Sequence, residues 1–208
     1  MSFSAVAVDQ LKHAPAVEGI LPAIHERWSP RAFQGRPVNP ADLARLFEAA
    51  RWAPSSYNEQ PWRFLVGLRG SSTHQKITSA LIPFNQSWAP KAPVLMLGVA
   101  KARFSHDNSA NDYAFYDLGA ATALLVVQAT ALGLATHQMG AFDHAAARQA
   151  LGIPEDYLIG SVTALGYLGE PALLPNERMI AQEVAPRTRK PLSEFVLSAW
   201  GQPARLDE

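Results

Sequence analysis

No charged residue occurs from Leu118 to Thr136, and that fact limits the fold more than any other feature of the chain. A helix without charge has to hide most of its circumference, in lipid or in protein. The stretch is long enough to cross a bilayer. Yet it is rich in Ala, Thr and Gly, carries Gln128, and has no Lys or Arg anchor close to either end. Membrane spans are flanked by such anchors. The stretch therefore reads as a helix buried on most sides, at a packed centre or a subunit interface, and no membrane is expected as partner.

What covers that helix must come from the rest of the 208 residues, a length that suits one domain. Nearly half of them are hydrophobic, so a core is available. Eighteen Lys and Arg balance eighteen Asp and Glu, which argues against a nucleic-acid binder with a broad basic face. The absence of cysteine excludes disulfides, thiolate metal sites and cysteine nucleophiles. The start, MSFSAVAVDQLKHAP, has no basic opening, and Asp9 and Lys12 interrupt its apolar run, so it does not read as a secretory signal. A cytoplasmic location is the expectation. Residues 1–18 read as a loose arm and residues 186–208 as an extension.

NPADLARLFEAARWA predicts a helix with Asn39 as cap and Pro40 in the first position. Leu43, Leu46, Phe47 and Ala50 fall at helical spacing and should face the core. WRFLVGL (62–68), PVLMLGVA (93–100), a short run at 135–139 and SVTALGYLG (161–169) read as strands. Residues 71–81, about 111–132, and the stretch from Asp143 to Leu151 read as helices, with Gly133 and Gly152 as stops. The tail is expected to begin basic and end as a short helix or an extended arm. Strands separated by helices, apolar on both faces, imply α+β or α/β with one central sheet.

Three segments carry chemistry. In HERWSPRAFQGRPVNP, Pro30 forces Ser29 out of the helical region, so Arg27, Ser29 and Arg31 point the same way along an extended chain. Two cations flanking a hydroxyl suit a phosphate; a loop whose arginines pair with surface carboxylates is the alternative. In APSSYNEQPWRF, hydroxyls and amides sit between Pro54 and Pro61, fit for a heterocycle edge with alternating donors and acceptors, or for an ordinary turn. In PRTRKP, Arg187 and Arg189 repeat the alternation, as a second anion site or a solvated tail. Together they suggest a bound phosphorylated heterocycle. P-loop, dinucleotide and nucleophile-elbow signatures are absent, and the six histidines are scattered, so no metal site is expected. His137, in apolar surroundings, reads as a hydrogen-bonded core histidine.

With these segments in order, the chain resembles the nitroreductase family of flavin-dependent oxidoreductases over almost its whole length. RWSPRAF is similar to the family's Arg-x-Ser-x-Arg opening, and APSSYNEQPW to its Pro-Ser-Ser-x-Asn-x-Gln-Pro-Trp loop. HQMGAFD stands where the family turns under the flavin ring. GYLGEP and the Arg-x-Arg-Lys-Pro-Leu tail match its closing segments. The resemblance implies an α+β, three-layer fold with a mostly antiparallel sheet, and an obligate homodimer with FMN at the interface. The extension at 186–208 would serve both phosphate site and dimer.

Carried over, the resemblance gives Arg27, Ser29, Arg187 and Arg189 to the FMN phosphate and Arg31 to the N1/O2 edge, with Trp28 alongside. Pro54, Ser55, Ser56, Asn58 and Gln60 form the loop that reaches the flavin from the partner subunit. The N–H of Gly140 points at N5, with Gln138, Met139 and Ala141 lining the ring. Departures are Gly140, where the family often has an acid, and Arg31 or Arg187, where it often has Lys. The implied activity is electron transfer from NADH or NADPH through FMN to a quinone, nitroaromatic or enone, by a ping-pong mechanism. Alternatives are oxygen-dependent flavin fragmentation, reductive dehalogenation, or flavin binding without catalysis. No titrating side chain is needed for the chemistry. Phe84, Trp88, Phe104 and Tyr113 are candidates to roof the substrate pocket, or core residues.

Overall fold

A computed structural model describes residues 4–206. The chain opens with α1 (Ala5–Lys12) and α2 (Pro22–Glu26), then α3 (Pro40–Arg51), β1 (Trp62–Leu68), α4 (Ser72–Ala80) and α5 (Pro83–Gln86). β2 (Val94–Lys101), α6 (Ala114–Ala131), β3 (Ala135–Met139), α7 (His144–Leu151) and β4 (Tyr157–Gly166) follow. It closes with α8 (Glu177–Val184) and a small hairpin of β5 (Leu197–Ala199) and β6 (Gln202–Pro203).

Four strands form one antiparallel sheet in the order β1-β2-β4-β3. Its centre, β2, is buried from Val94 to Ala100 because helices cover both faces. Leu95, Leu97 and Val99 point into a core shared with α4, α7 and Trp88. Val94, Met96 and Ala100 point into a second core shared with α3 and α6. Period-2 alternation thus serves two apolar layers at once, which is why β2 reads as a continuous apolar run. The expected α+β three-layer architecture is found.

The uncharged stretch is α6, and α6 lies on the sheet by virtue of two glycines. A Cβ on Gly160 would sit 2.6 Å from Leu118 Cδ2 and 2.9 Å from the Gly98 carbonyl oxygen; one on Gly98 would sit 3.2 Å from Leu118 Cδ1. The β2–β4 register shifts at this point, between Leu97 and Val99. By length and composition α6 passes as a membrane span, but its Leu118, Ala121, Leu125 and Ala129 face the second core. The expectation of burial on most sides is only half met. Tyr113, just ahead of α6, and Tyr116 and Leu124 on it are exposed, so an uncharged face of the helix has no cover in the single chain.

Several boundaries differ from expectation. The arm expected to be loose is a helix, α1, capped by Ser4 Oγ and seating Val8 against the fold; the part of that arm before Ser4 lies outside the described residues. β4 starts at Tyr157 rather than 161, because Gly160 belongs to the strand as the point of helix approach. Where the tail was expected to end as a short helix or an extended arm, residues 197–203 form an exposed hairpin of extended strands.

Candidate functional site

α2 ends at Glu26 because Arg27 and the residues up to Pro30 run extended. Arg27 Nη1 donates to Ser29 Oγ at 3.1 Å. The tail returns beside this turn: Arg187 donates to the His25 carbonyl at 2.7 Å and also to that of Arg27. Burial holds the Arg27 guanidinium below its ordinary pKa, and Arg189 pushes the same way. Burial lowers Arg187 too, followed by Arg27 and Arg189, with Asp9 opposing. Three cations therefore crowd one another. Among the described residues no carboxylate stands at ion-pair distance from Arg27, Arg187 or Arg189. The alternative of arginines paired with surface carboxylates does not hold for this cluster.

Arg31 leaves that cluster. Its guanidinium stands over the Phe84 ring, 5.6 Å from the centroid, and its Nε is buried without a partner. The backbone around it is pinned from two sides. Glu183, 2 % exposed on α8, accepts from the Arg31 N–H at 2.8 and 3.1 Å and from the Ala32 N–H at 3.0 Å. Burial raises the Glu183 carboxyl, against the pull of those N–H groups and of the Arg31 and Lys12 charges. Lys12, itself lowered by burial, donates to the Gln182 and Ala185 carbonyls. On the other side, His137 Nδ1 meets the Pro30 carbonyl at 3.0 Å. A carbonyl can only accept, so the imidazole carries its proton on Nδ1. Burial first, then the Arg31 charge, lowers His137 to about 4. It is thus hydrogen-bonded, as expected from sequence, and neutral.

The turn after β3 is held next to Arg31 by α5. Phe84 lies under the guanidinium, and the neighbouring Asn85 donates to the Ala141 carbonyl at 3.1 Å. Gln138, Gly140 and Ala141 are exposed, and a Cβ at Gly140 would meet nothing within 4 Å. Through adjacent residues, α5 thus touches both the Arg31 guanidinium and the open backbone turn.

The Pro54–Gln60 loop is a separate feature in the single chain. Tyr57, Asn58 and Gln60 all have positive φ, 52°, 54° and 49°, a costly conformation for residues other than glycine. Ser56 N–H donates to Asp117 Oδ2 at 3.1 Å, and Gln60 N–H to Ser55 Oγ at 3.0 Å. The Asn58 and Gln60 side chains project outward, exposed. No hydrogen bond joins this loop to the arginines or to the Gly140 turn among the described residues.

Some sequence-predicted residues take other places. Trp88 is 0 % exposed; it stacks on Phe33, 6.4 Å between centroids, and packs against His137, so it is a core residue and not a pocket roof. Phe104 is also buried, edge-on to Tyr57. Phe84 and Tyr113 are exposed. The Trp28 ring turns away from the site to α1, where its Nε1–H donates to Asp9 Oδ1 at 2.8 Å beneath Lys12. The Met139 side chain lies in the core, leaving only its backbone for the turn. Sequence reasoning missed Glu183, Asp117 and Asn85. Each is buried: Glu183 pins the Arg31 segment, Asp117 the Pro54–Gln60 loop and Asn85 the turn after β3. The one available signal was a charge or amide standing among residues that a helix would bury.

Comparison with known proteins bears on the same residues. A model of the Nitroreductase family matches residues 24–86 and 74–167. A putative NADH dehydrogenase/NAD(P)H nitroreductase of Archaeoglobus fulgidus is 32% identical over 155 residues, 73% of this chain and 86% of its own. A Thermus thermophilus NADH dehydrogenase is 28% identical over 190 residues, covering 74% of this chain and 91% of its own. Among solved structures, an oxidoreductase containing FMN superposes with a TM-score of 0.82 at 32% identity, over 90% of this chain and 94% of that one.

Proposed function

The chain belongs to the nitroreductase family, and on that premise we propose that it is an FMN-dependent oxidoreductase taking electrons from NADH or NADPH and delivering them, in ping-pong order, to a flat conjugated acceptor such as a quinone, nitroaromatic or enone. The observation that carries this reading is the cluster of Arg27, Arg187 and Arg189, with no carboxylate at ion-pair distance among the described residues. A phosphate monoester brings roughly two negative charges near neutral pH. Charge-assisted hydrogen bonds of this kind are worth about 1.5–3 kcal/mol each. The solved relative containing FMN supports the same assignment.

When bound, FMN supplies hydride acceptance and release at N5; the chain supplies position and field. Arg27, Ser29, Arg187 and Arg189 hold the phosphate. Arg31, its Nε unpartnered and its backbone fixed by Glu183 and His137, would give a fixed positive charge at the N1/O2 edge, where it would favour reduction. The exposed backbone N–H of Gly140 would be the donor to N5, with Phe84 beside Arg31. Neutral His137 adds no charge that would compete with Arg31. Neither proton donor nor base is required of a side chain.

In this reading the second half of the site comes from a second copy of the chain. The exposed, uncharged face of α6 with Tyr113 and Tyr116 would be the contact, and the strained loop with Ser56, Asn58 and Gln60 would reach across it to the partner's flavin; the exposure of the one and the positive φ values of the other support this. Strained backbone of this kind persists where a site requires it. The test is anaerobic titration of the purified protein. It should absorb as a flavoprotein, bleach with NADH or NADPH, and recover colour when a quinone is added. A protein that stays colourless after FMN is offered overturns the proposal.

A further inference from the structure

The arginine cluster does not close the site. Arg27, Arg187 and Arg189 line one side of a pocket of about 850 Å³ that continues between α1, α2 and the tail and includes neither Arg31 nor the Gly140 turn. Its far wall is apolar: Leu11, Val17, Ile20, Ile24 and Leu192, all exposed to solvent there. His13 and His25 complete it, and His25 Nδ1 is buried with no hydrogen-bond partner. Exposed apolar side chains gathered around a cavity of this size mark a binding surface.

Most of the wall lies outside the residues that the family model matches. The family match begins at residue 24 and ends at 167, whereas the wall is drawn mainly from Leu11–Ile20 and Pro186–Leu192. A terminal phosphate ends in water and needs no apolar chamber behind it. A chamber beyond three cations suits a ligand whose phosphate is followed by a second phosphate and a flat, weakly polar group. Aliphatic side chains cover the faces of such a group, and the His25 ring lies in the same wall.

We propose that this pocket takes the adenylate half of FAD, so that the chain binds FAD at least as tightly as FMN; the inference rests on the arginines holding the flavin phosphate, as above. The pyrophosphate lies along Arg27, Arg187 and Arg189, and the adenosine lies against Val17, Ile20 and Leu192.

The test is binding of FMN and FAD to flavin-free protein, followed by quenching of flavin fluorescence, with ADP as competitor and with Val17→Glu and Ile20→Glu as variants. Both substitutions are on exposed side chains, and melting of each variant is recorded to confirm folding. FAD is expected to bind with a dissociation constant no larger than that of FMN, and ADP to displace it. Each variant should weaken FAD tenfold or more and leave FMN within twofold. FAD binding tenfold weaker than FMN overturns the inference while leaving the flavin assignment intact. Failure of both flavins to bind removes the flavin assignment itself. Variants that leave FAD affinity unchanged but raise the KM for NADPH, or alter the oligomeric state, also overturn it, giving the pocket to the nicotinamide donor or to a second copy.

Discussion

Glu183 is the residue on which the Arg31 segment hangs. Removing its carboxylate by Glu183→Ala leaves two buried N–H groups without acceptors, each costing about 1–3 kcal/mol. Chemical denaturation should show that loss, and FMN affinity should fall with it. Glu183→Gln keeps an acceptor and should lose less. The pH dependence separates two buried groups of opposite sign. His137 is lowered to about 4 from 6.5, so between those values the unfolded chain binds a proton that the folded chain refuses. Its contribution is complete above pH 6.5 and is lost as pH falls, by up to about 1.4 kcal/mol per pH unit. The Glu183 carboxyl is raised, so its contribution is present below the ordinary carboxylate value and is lost as pH rises. Urea midpoints measured from pH 7 to 4.5 should therefore fall more steeply in Glu183→Gln than in the parent, and less steeply in His137→Asn. Equal slopes in all three would remove both assignments. At this scale the alternation of Arg27, Ser29 and Arg31 was legible in the sequence because it is local. Glu183 was not, because its role lies in contacts some 150 residues away in the chain.

Among the elements, α6 against the β2–β4 bulge is the most exacting fit. Gly160→Ala would drive a Cβ into the Gly98 carbonyl as well as Leu118. Backbone cannot yield as a side-chain end does, and a loss of about 1–3 kcal/mol is expected by thermal or chemical unfolding. The Pro54–Gln60 loop has the opposite sign. Gln60→Gly relieves a positive φ and should gain about 0.5–1 kcal/mol in stability while weakening FMN, because the amide is lost. Stability and affinity rising together would count against the loop's role. α3, β1 and α4 were legible almost to the residue, since caps and periodicity act within a few positions. α8 was not: it is eight residues long, and Met179 and Glu183 are its only buried residues, too few to show a period. The start of β4 was hidden by Gly160, which argues against a strand until Leu118 is placed beside it.

For the whole molecule, the single chain leaves an uncharged helix face uncovered and divides the sequence-predicted flavin residues into two groups that do not meet. In the homodimer proposed above, the two groups would come together across the contact. Leu124→Glu, on the exposed side of α6, should shift the sedimenting species from dimer to monomer and lower flavin content in parallel. A monomeric protein that retains its flavin would contradict the shared site. Order of motifs and fold class were readable from the chain. The separation of the Pro54–Gln60 loop from the arginines within one chain was not, because it depends on contacts between segments far apart in sequence.

The assignment stands or falls on the arginine cluster meeting a phosphate. The direct measurement is the ratio of dissociation constants for riboflavin and FMN, in the parent protein and in Arg27→Ala/Arg187→Ala. The parent should prefer FMN by at least a hundredfold, about 2.7 kcal/mol, and the double variant should lose at least tenfold of that preference. A parent that binds riboflavin as tightly as FMN, or a variant with the preference intact, would show that these guanidinium groups serve another purpose.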